Sequence, residues 1–286
     1  MTTSTSRRRG AGGGRVSAWT LTHGDCVDPV TGLASLADRS VDHVICDPPY
    51  SEHVHAKSRA GASATRRRDD DGAGRGLHGR SRDLGFTHLT DETRDGVAAH
   101  CARVARRWVL AFCDDESSHL WRASLIAAGL EYVRTGHWHK IGGTPQFTGD
   151  RPGVAVEAIV IAHQPGRKRW NGGGRPAFWP CPIVLDRGAG EQRVHTTQKP
   201  LDLMTALVRD FTDHGETILD PFAGSGTTGV AAIQNGRRFI GWERDERYHA
   251  VASKRLGEAR EQPGLALGPK VRPAKTADMF GEETKR

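Results

Sequence analysis

The amino-acid sequence predicts an α/β fold in which helices cover both faces of a largely parallel sheet. Short apolar runs rich in β-branched residues alternate with longer stretches of helical periodicity, as in proteins built from βαβ units. One complete unit is visible late in the chain, where residues 216–220 and 237–243 flank a glycine-rich turn and a helix. The chain has 286 residues and no internal repeat, which indicates one large domain.

Each element follows from its own local pattern. Apolar runs of strand length between polar or turn-forming residues predict strands at residues 19–25, 41–47, 107–114, 132–140, 156–164, 216–220 and 237–243. Helical spacing of apolar residues predicts helices at residues 32–40, 91–107, 117–132, 198–212 and 246–256, and one through Ala231 and Ile233. The helix at 117–132 is expected to turn an apolar face toward the core, formed by Leu120, Leu125, Ile126 and Leu130.

Changes in composition set the expected boundaries of the folded part. Residues 1–17 are mostly Ser, Thr, Arg and Gly and are predicted to form a flexible basic tail, and residues 257–286 a flexible C-terminal tail. Residues 18–256 are predicted to form the folded domain. Within it, the polar stretch 51–87 has no periodicity, and such a stretch is typical of an insert or a lid loop.

Overall charge and cysteine usage restrict the class of protein. The net charge of +7 and the pI of about 9.4 favour an anionic partner, nucleic acid first, although an arginine-rich composition can also reflect coding bias. Five cysteines without a CxxC pair argue for reduced thiols in the cytoplasm and against a zinc ribbon. No apolar run approaches the ~18 residues that a membrane helix needs.

Two motifs, each at the end of a predicted strand, carry the functional argument. The first is DPPY, Asp47 to Tyr50, where two prolines fix the backbone beside a carboxylate and an aromatic ring. The second is DPFAGSGTTG, Asp220 to Gly229, which satisfies GxGxxG and leads to Glu243 at the end of the next strand. Strand, turn, helix, strand and acid in this order indicate a nucleotide-like cofactor. No Lys-Ser/Thr pair follows the glycines, so a phosphate-binding NTPase loop is not expected.

In these motifs the chain resembles the S-adenosylmethionine-dependent amino-methyltransferases of DNA, in the circularly permuted arrangement called the β class. The resemblance covers about residues 19 to 256 and rests on GDC, DPPY, TQKP, DPFAGSGTT and GWERD, at 24–26, 47–50, 197–200, 220–228 and 241–245. It implies a Rossmann-like class I methyltransferase fold with a mixed seven-stranded sheet and helices on both faces. It also implies that residues 18–256 form the catalytic domain and that residues 164–195, which are rich in basic and aromatic side chains, form the target-recognition segment, with an ordinary connecting loop as the alternative.

The resemblance assigns roles to individual positions. Asp47 and the Pro48 carbonyl would accept the two N–H bonds of an exocyclic amino group, Pro49 would keep them rigid, and Tyr50 would stack on the flipped base. S-adenosylmethionine would be the cofactor. Its binding residues would be Asp25 at the adenine, Glu243 at the ribose, Lys199 near the carboxylate, and Asp220 with Phe222, Ala223, Gly224, Ser225, Gly226 and Thr227 at the methionine end.

Contacts with DNA are predicted for two basic runs, Arg66-Arg67-Arg68 and Arg167-Lys168-Arg169, although solvated loops would have the same composition. Double-stranded DNA is the expected partner, and the family also allows a homodimer and a cognate restriction endonuclease. No metal is expected, because the histidine pairs His53/His55 and His137/His139 lack accompanying ligands and the chemistry needs none.

Several alternatives to adenine-N6 methylation of DNA stay open. DPPY favours N6 of adenine within this family, whereas SPPY marks many enzymes that act on N4 of cytosine. Methylation of RNA or of a protein glutamine, a dinucleotide-dependent oxidoreductase and a DNA-binding subunit without activity are further alternatives. The oxidoreductase would leave DPPY without a role, and the intact Asp47 and Tyr50 argue against an inactive subunit. Asp47 could also serve only to start a turn, and Asp220 only to cap a helix.

Overall fold

The computed structural model describes residues 3–5, 17–49, 89–143, 149–184 and 198–261. Within these residues nine strands form one sheet: β1 Thr3–Thr5, β2 Trp19–His23, β3 His43–Cys46, β4 Trp108–Cys113, β5 Glu131–Ile141, β6 Val156–His163, β7 Phe178–Pro182, β8 Thr217–Asp220 and β9 Arg238–Glu243. Their order across the sheet is β1-β2-β9-β8-β3-β4-β6-β5-β7. The predicted α/β class is confirmed, and the seven predicted strands are the seven central ones.

Helices lie on both faces of this sheet. They are α1 Asp91–Val104, α2 Ser118–Ala127, α3 Leu201–Phe211, α4 Thr227–Gln234 and α5 Glu246–Glu261. Side chains of α1 and α2 belong to one apolar cluster, and side chains of α3, α4 and α5 belong to the other. The central strand β4 supplies both, because successive side chains point to opposite faces: Leu110 and Phe112 enter one cluster, Val109 and Ala111 the other. None of the helices in the described ranges is long and apolar enough to cross a membrane.

Strand direction defines two edges that position the site. Strands β2, β9, β8, β3 and β4 are mutually parallel, so they all end at one edge, which we call the carboxyl edge. Strand β6 is antiparallel to both of its neighbours, so it begins at the carboxyl edge, where β5 ends. The opposite, amino edge holds the first residue of β4, Trp108, opposite His163 at the end of β6.

Two helix predictions differ from the structure. Residues 32–40 form only a short 3-10 turn at Leu33–Ser35, because Arg103 of α1 donates to the carbonyls of Leu33 and Leu36 at 2.9 and 2.7 Å. In α2 the buried side chains include Trp121 and Leu125, whereas Ile126 is 46% exposed and was wrongly predicted to face the core.

The boundaries also shift in three places. Strand β7 lies inside the predicted target-recognition segment 164–195, where no strand was predicted, and it adds to the sheet beside β5. Thr3–Thr5, within the predicted N-terminal tail, pair with β2 instead. Helix α5 continues to Glu261, so the folded domain extends past residue 256. The predicted insert or lid at residues 51–87 lies outside the described residues.

Candidate active site

The first motif leaves the sheet at its centre. Asp47 and Pro48 directly follow β3, which lies between β8 and β4. All four residues of β3 are buried, as is Pro48, while the Asp47 side chain keeps 23% exposure. A partly exposed carboxylate on a buried, proline-fixed backbone can accept hydrogen bonds from a ligand without first reorganising. Tyr50 lies outside the described residues, so its predicted stacking role stays a prediction.

A lysine occupies one oxygen of this carboxylate. Lys199 Nζ lies 2.6 Å from Asp47 Oδ2, and the same ammonium lies 2.9 Å from Glu157 Oε1. Two carboxylates raise the pKa of Lys199 to about 12, although burial alone would lower it, so the side chain is charged at neutral pH. Burial raises the pKa of the Asp47 carboxyl, and the Lys199 ammonium acts in the opposite direction.

The second motif begins at Asp220, the last residue of β8, which is 1% exposed. Its Oδ1 accepts from the Phe222 amide at 3.0 Å, and its Oδ2 accepts from Thr228 Oγ1 at 2.6 Å. Both bonds close the turn between β8 and α4. Asp220 therefore shapes the glycine turn in addition to any contact with a ligand.

Burial raises the pKa of Asp220 from 3.8 to about 7. Between these values the unfolded chain has released this proton while the folded protein still holds it, so the contribution of Asp220 to stability falls as pH rises through the window. We expect Asp220→Asn to remove this loss and to stabilise the protein at pH 8 by about 1–3 kcal/mol, with little effect at pH 4.

The measurement is thermal unfolding of wild type and variant between pH 4 and pH 8 without ligand. Asp202→Asn, in an exposed first-turn residue of α3, is the control for the same chemical change and should not stabilise the protein at pH 8. A difference in stability between Asp220→Asn and wild type that is the same at every pH would contradict a raised pKa at Asp220.

Glu243 ties the glycine turn to the neighbouring strand. It ends β9 and is 9% exposed; its Oε2 accepts from the Gly224 amide at 2.8 Å and its Oε1 from the Asp245 amide at 2.7 Å. The Ala223 amide also donates to the Trp242 carbonyl at 2.9 Å. Each carboxylate oxygen can accept more than one hydrogen bond, so Glu243 can hold the turn and still bind hydroxyl groups.

Two glycines of the turn adopt left-handed backbone angles, φ +53° at Gly224 and φ +80° at Gly226. A Cβ atom on Gly226 would come within 3.0 Å of Ala252 Cβ, whereas one on Gly224 would meet nothing closer than 4.0 Å. Gly226 therefore allows α4 and α5 to pack closely, and Gly224 leaves open space above the turn. Arg255 of α5 also holds the turn, because its guanidinium donates to the Ser225 carbonyl at 2.7 Å and to Thr227 Oγ1 at 3.2 Å.

These contacts fit a nucleotide-like cofactor. Open space at a left-handed glycine allows a ligand to approach the backbone, and the amino end of α4 favours electron-rich groups. Glu243 supplies a carboxylate at the end of the adjacent strand, where a ribose-binding acid is expected. Asp25, at the end of the next strand, is exposed and caps its own turn through the Val27 amide at 3.1 Å, so its predicted contact with adenine remains sterically open.

Comparison with known proteins decides the family. Residues 41–254 match the family described as DNA methylase, the N6/N4 methyltransferases. The chain belongs to this family. The predicted class, an amino-methyltransferase of DNA, is thereby confirmed, while the choice between the adenine and cytosine amino groups is not made by the match.

Individual relatives of the DNA methylase family are similar to different extents. YubD of Escherichia coli (strain K12) is 47% identical over 97 residues, which are 32% of this chain and 43% of YubD. Type II methyltransferase M.HinfI of Haemophilus influenzae is 24% identical over 90% of this chain and 75% of its own length. Among solved structures, the M1.HpyAVI–SAM complex matches with a TM-score of 0.60 at 23% identity, over 83% of this chain and 98% of that structure's chain. PvuII DNA methyltransferase, described as cytosine-N4-specific, has 0.59 at 13% identity, covering 85% and 91%.

The structure does not bring all predicted site residues of this DNA methylase together. Arg167, Lys168 and Arg169 lie at the amino edge, because the Arg169 carbonyl accepts from Trp108 Nε1 at 2.7 Å and Lys168 pairs with Glu131, the first residue of β5. Their position is therefore opposite to Asp47, and it gives no support to the prediction that they contact DNA at the reacting base. Arg66, Arg67 and Arg68 lie outside the described residues.

The histidine pairs need no metal to explain them where they are described. His137 Nε2 lies 3.6 Å from Asp115 Oδ1, and the His139 ring stacks on Phe178 with centroids 5.7 Å apart. His53 and His55 lie outside the described residues, so the expectation of no metal stays a prediction.

Sequence reasoning missed two residues at the site. Glu157 is followed in strand β6 by five apolar residues, and an acidic residue beside such a run was a usable signal. Arg255, in contrast, lies in a helix rich in charged residues, and nothing in the sequence separates it from its solvent-exposed neighbours.

Proposed function

We propose that this protein transfers a methyl group from S-adenosylmethionine to the N6 amino group of adenine in double-stranded DNA. The observation that carries the proposal is the adjacency of the two motifs. Strands β3 and β8 pair directly, with Val44 opposite Leu219, so the Asp47 turn and the Asp220 turn leave neighbouring strands at the carboxyl edge. Acceptors for an amino group thus lie beside a turn that fits the methyl donor.

The residues of the chain contribute by holding and orienting the target amino group. An exocyclic amino group is a weak nucleophile, because its lone pair is delocalised into the base. Hydrogen bonds from its two N–H groups to the Asp47 carboxylate and the Pro48 carbonyl direct the lone pair outward and stabilise the positive charge that grows on nitrogen. When bound, S-adenosylmethionine supplies an electrophilic methyl group on a sulfonium ion.

The cofactor would be held by the second motif together with acidic residues at the end of β9 and after β2. Glu243 accepts hydrogen bonds from the ribose hydroxyls, and Gly224 lets the ligand approach the backbone. Asp220 and residues 222–227 form the turn for the methionine end, and Asp25 binds the adenine amino group. The reaction needs the target base outside the duplex, because the amino group cannot reach Asp47 from within the stack.

The experiment that tests this proposal uses purified full-length protein, methyl-labelled S-adenosylmethionine and unmethylated genomic DNA, followed by nucleoside digestion and mass spectrometry. We expect label in N6-methyladenine. Label in N4-methylcytosine would keep the mechanism and replace the base, in line with the alternative that the cytosine-N4-specific PvuII enzyme illustrates on a similar fold. Absence of label in DNA, with bound cofactor demonstrated, would reject the proposal in favour of RNA, protein or a role without catalysis.

The same preparation tests the remaining proposals. We propose that the enzyme is cytoplasmic. We also propose that it forms a homodimer, which sedimentation in the presence and absence of DNA would detect. A cognate restriction endonuclease would reveal itself by cutting unmethylated DNA at the sites that this protein protects. Binding to nicotinamide dinucleotides in place of S-adenosylmethionine would favour the oxidoreductase alternative.

A further inference from the structure

We infer that Glu157 is a positioning residue, which shares the Lys199 ammonium with Asp47 and thereby keeps the Asp47 carboxylate available to the target amino group. The inference rests on the proposed role of Asp47 and deepens it. Its basis is a continuous chain of charged contacts, which we call the lysine–carboxylate chain: Lys140 Nζ to Glu157 Oε2 at 2.8 Å, Glu157 Oε1 to Lys199 Nζ at 2.9 Å, and Lys199 Nζ to Asp47 Oδ2 at 2.6 Å.

The four members come from four separate segments that meet at the carboxyl edge. Lys140 lies near the end of β5 and Glu157 near the beginning of β6, which are antiparallel neighbours. Lys199 precedes α3, and its ammonium lies 5.0 Å from the centre of the Phe112 ring on β4. A cation over an aromatic face is held on that side as well, so the position of Nζ is defined by three partners.

Stability alone gives little reason to keep this arrangement. Glu157 and Lys199 are 4% and 6% exposed, and Glu157 is surrounded in its strand by apolar residues. Removing two charges from water costs about as much as their attraction returns, so well-packed apolar side chains would stabilise the same place equally well. A buried glutamate that contacts the ammonium beside the reacting carboxylate is better explained by what it does to that carboxylate.

The effect of Glu157 follows from charge. The charges of two ammonium groups and two carboxylates balance in this chain. Glu157 therefore offsets part of the positive field that the Lys199 ammonium exerts on the Asp47 carboxylate from 2.6 Å. Without the Glu157 charge, the full field of Lys199 would act on Asp47, and its oxygens would accept less strongly from an amino group that becomes positive during transfer. With Glu157 present, Lys199 holds Oδ2 and leaves Oδ1 for the amino group.

Other charged or titratable groups also face Asp47 and must be held constant in a test. They are Lys140 on β5, Asp220 on β8, Cys46 on β3 and Cys113 on β4, together with Glu157 and Lys199. Both thiols have pKa values raised by burial, so neither titrates near neutral pH.

Two substitutions, each of which removes one charge, should move the pH dependence of methyl transfer in opposite directions. Activity requires ionised Asp47 and rises with pH through its pKa. Glu157→Gln removes a like charge, which lowers the pKa of Asp47, so the acid limb should shift to lower pH while kcat at neutral pH falls about 10- to 100-fold. Lys199→Met removes the compensating cation, which raises the pKa of Asp47, so the acid limb should shift to higher pH.

The matched control is Glu131→Gln, the same chemical change in the Glu131–Lys168 pair at the amino edge, and it should alter neither kcat nor the pH profile. Glu157→Asp, which keeps the charge, should recover part of the activity that Glu157→Gln loses. Equal shifts in one direction for both variants, or unchanged turnover of folded Glu157→Gln, would overturn the inference. A large rise in the Kd for S-adenosylmethionine in Lys199→Met would also overturn it, and would return Lys199 to its predicted place at the cofactor carboxylate.

A second readout separates this inference from the proposed function. Carbon-13 NMR of the Asp47 carboxyl, assigned with Asp47→Asn, measures its pKa in wild type and both variants without any substrate. Wild-type protein that transfers no methyl group to DNA would reject the proposed function alone. Opposite shifts of the Asp47 pKa would still support the lysine–carboxylate chain, and identical values in all three proteins would reject it.

Discussion

Replacing Asp47 by alanine is expected to lower kcat for methyl transfer by at least about 10²- to 10³-fold, the range seen when one preorganised hydrogen-bonding group is lost from an active site. The Kd for S-adenosylmethionine should stay within a few-fold of wild type, because Asp47 belongs to the turn after β3, whereas the glycine turn after β8 and Glu243 at the end of β9 carry most of the proposed cofactor contacts. Steady-state assays of methyl transfer measure kcat, and calorimetric titration with S-adenosylmethionine measures Kd separately.

The lysine beside Asp47 makes the choice of control important. Alanine at 47 leaves Lys199 with Glu157 as its remaining carboxylate partner in the chain, so the buried ammonium is still paired and the fold should persist. Asp115→Ala, which removes a half-exposed carboxylate after β4 at the same edge, should keep normal turnover. Full activity of Asp47→Ala would show that another group holds the amino nitrogen.

Local patterns were sufficient to predict the central part of the fold. Strands such as β4 and β6 are mostly apolar because both of their faces are covered, and this makes them visible in a sequence. Strand β7 was not visible, because Phe178–Pro182 contains two prolines and its sequence does not alternate apolar with polar residues, although its burial does alternate. Prolines are tolerated there because β7 is an outermost strand of the sheet.

In the candidate site too, local features could be predicted from the sequence and contacts between distant segments could not. Motifs within one turn, such as Asp220 to Thr227, carry their geometry in the local sequence, through glycines at positive φ and an acid that caps the turn. Contacts between distant segments do not. The contact between Lys199 and Asp47 was not predicted, while the predicted place of Lys199 near the cofactor carboxylate stays a prediction. Residues 167–169 lie at the amino edge, because the path of the chain across the sheet decides their position.

Replacing Glu243 by alanine is expected to weaken binding of S-adenosylmethionine by roughly 100-fold, which corresponds to about 2.7 kcal/mol. Two effects act together. The variant loses a carboxylate that can accept from both ribose hydroxyls, and charge-assisted hydrogen bonds are the stronger kind. It also frees the amides of Gly224 and Asp245, which Glu243 now holds at 2.8 and 2.7 Å, so the glycine turn loses its connection to β9.

The kinetic pattern of this variant should be the reverse of Asp47→Ala. At saturating cofactor, kcat should recover to near the wild-type value while KM for the cofactor stays high, because the lost interaction is the same in the ground and transition states. Glu243→Gln, which keeps one acceptor oxygen, should lose only about tenfold, and Glu246→Ala, an exposed glutamate in the first turn of α5, should bind normally. A kcat defect in Glu243→Ala that saturating cofactor does not relieve would mean that the glycine turn also aligns the reacting groups, and that binding and chemistry are not divided between the two motifs.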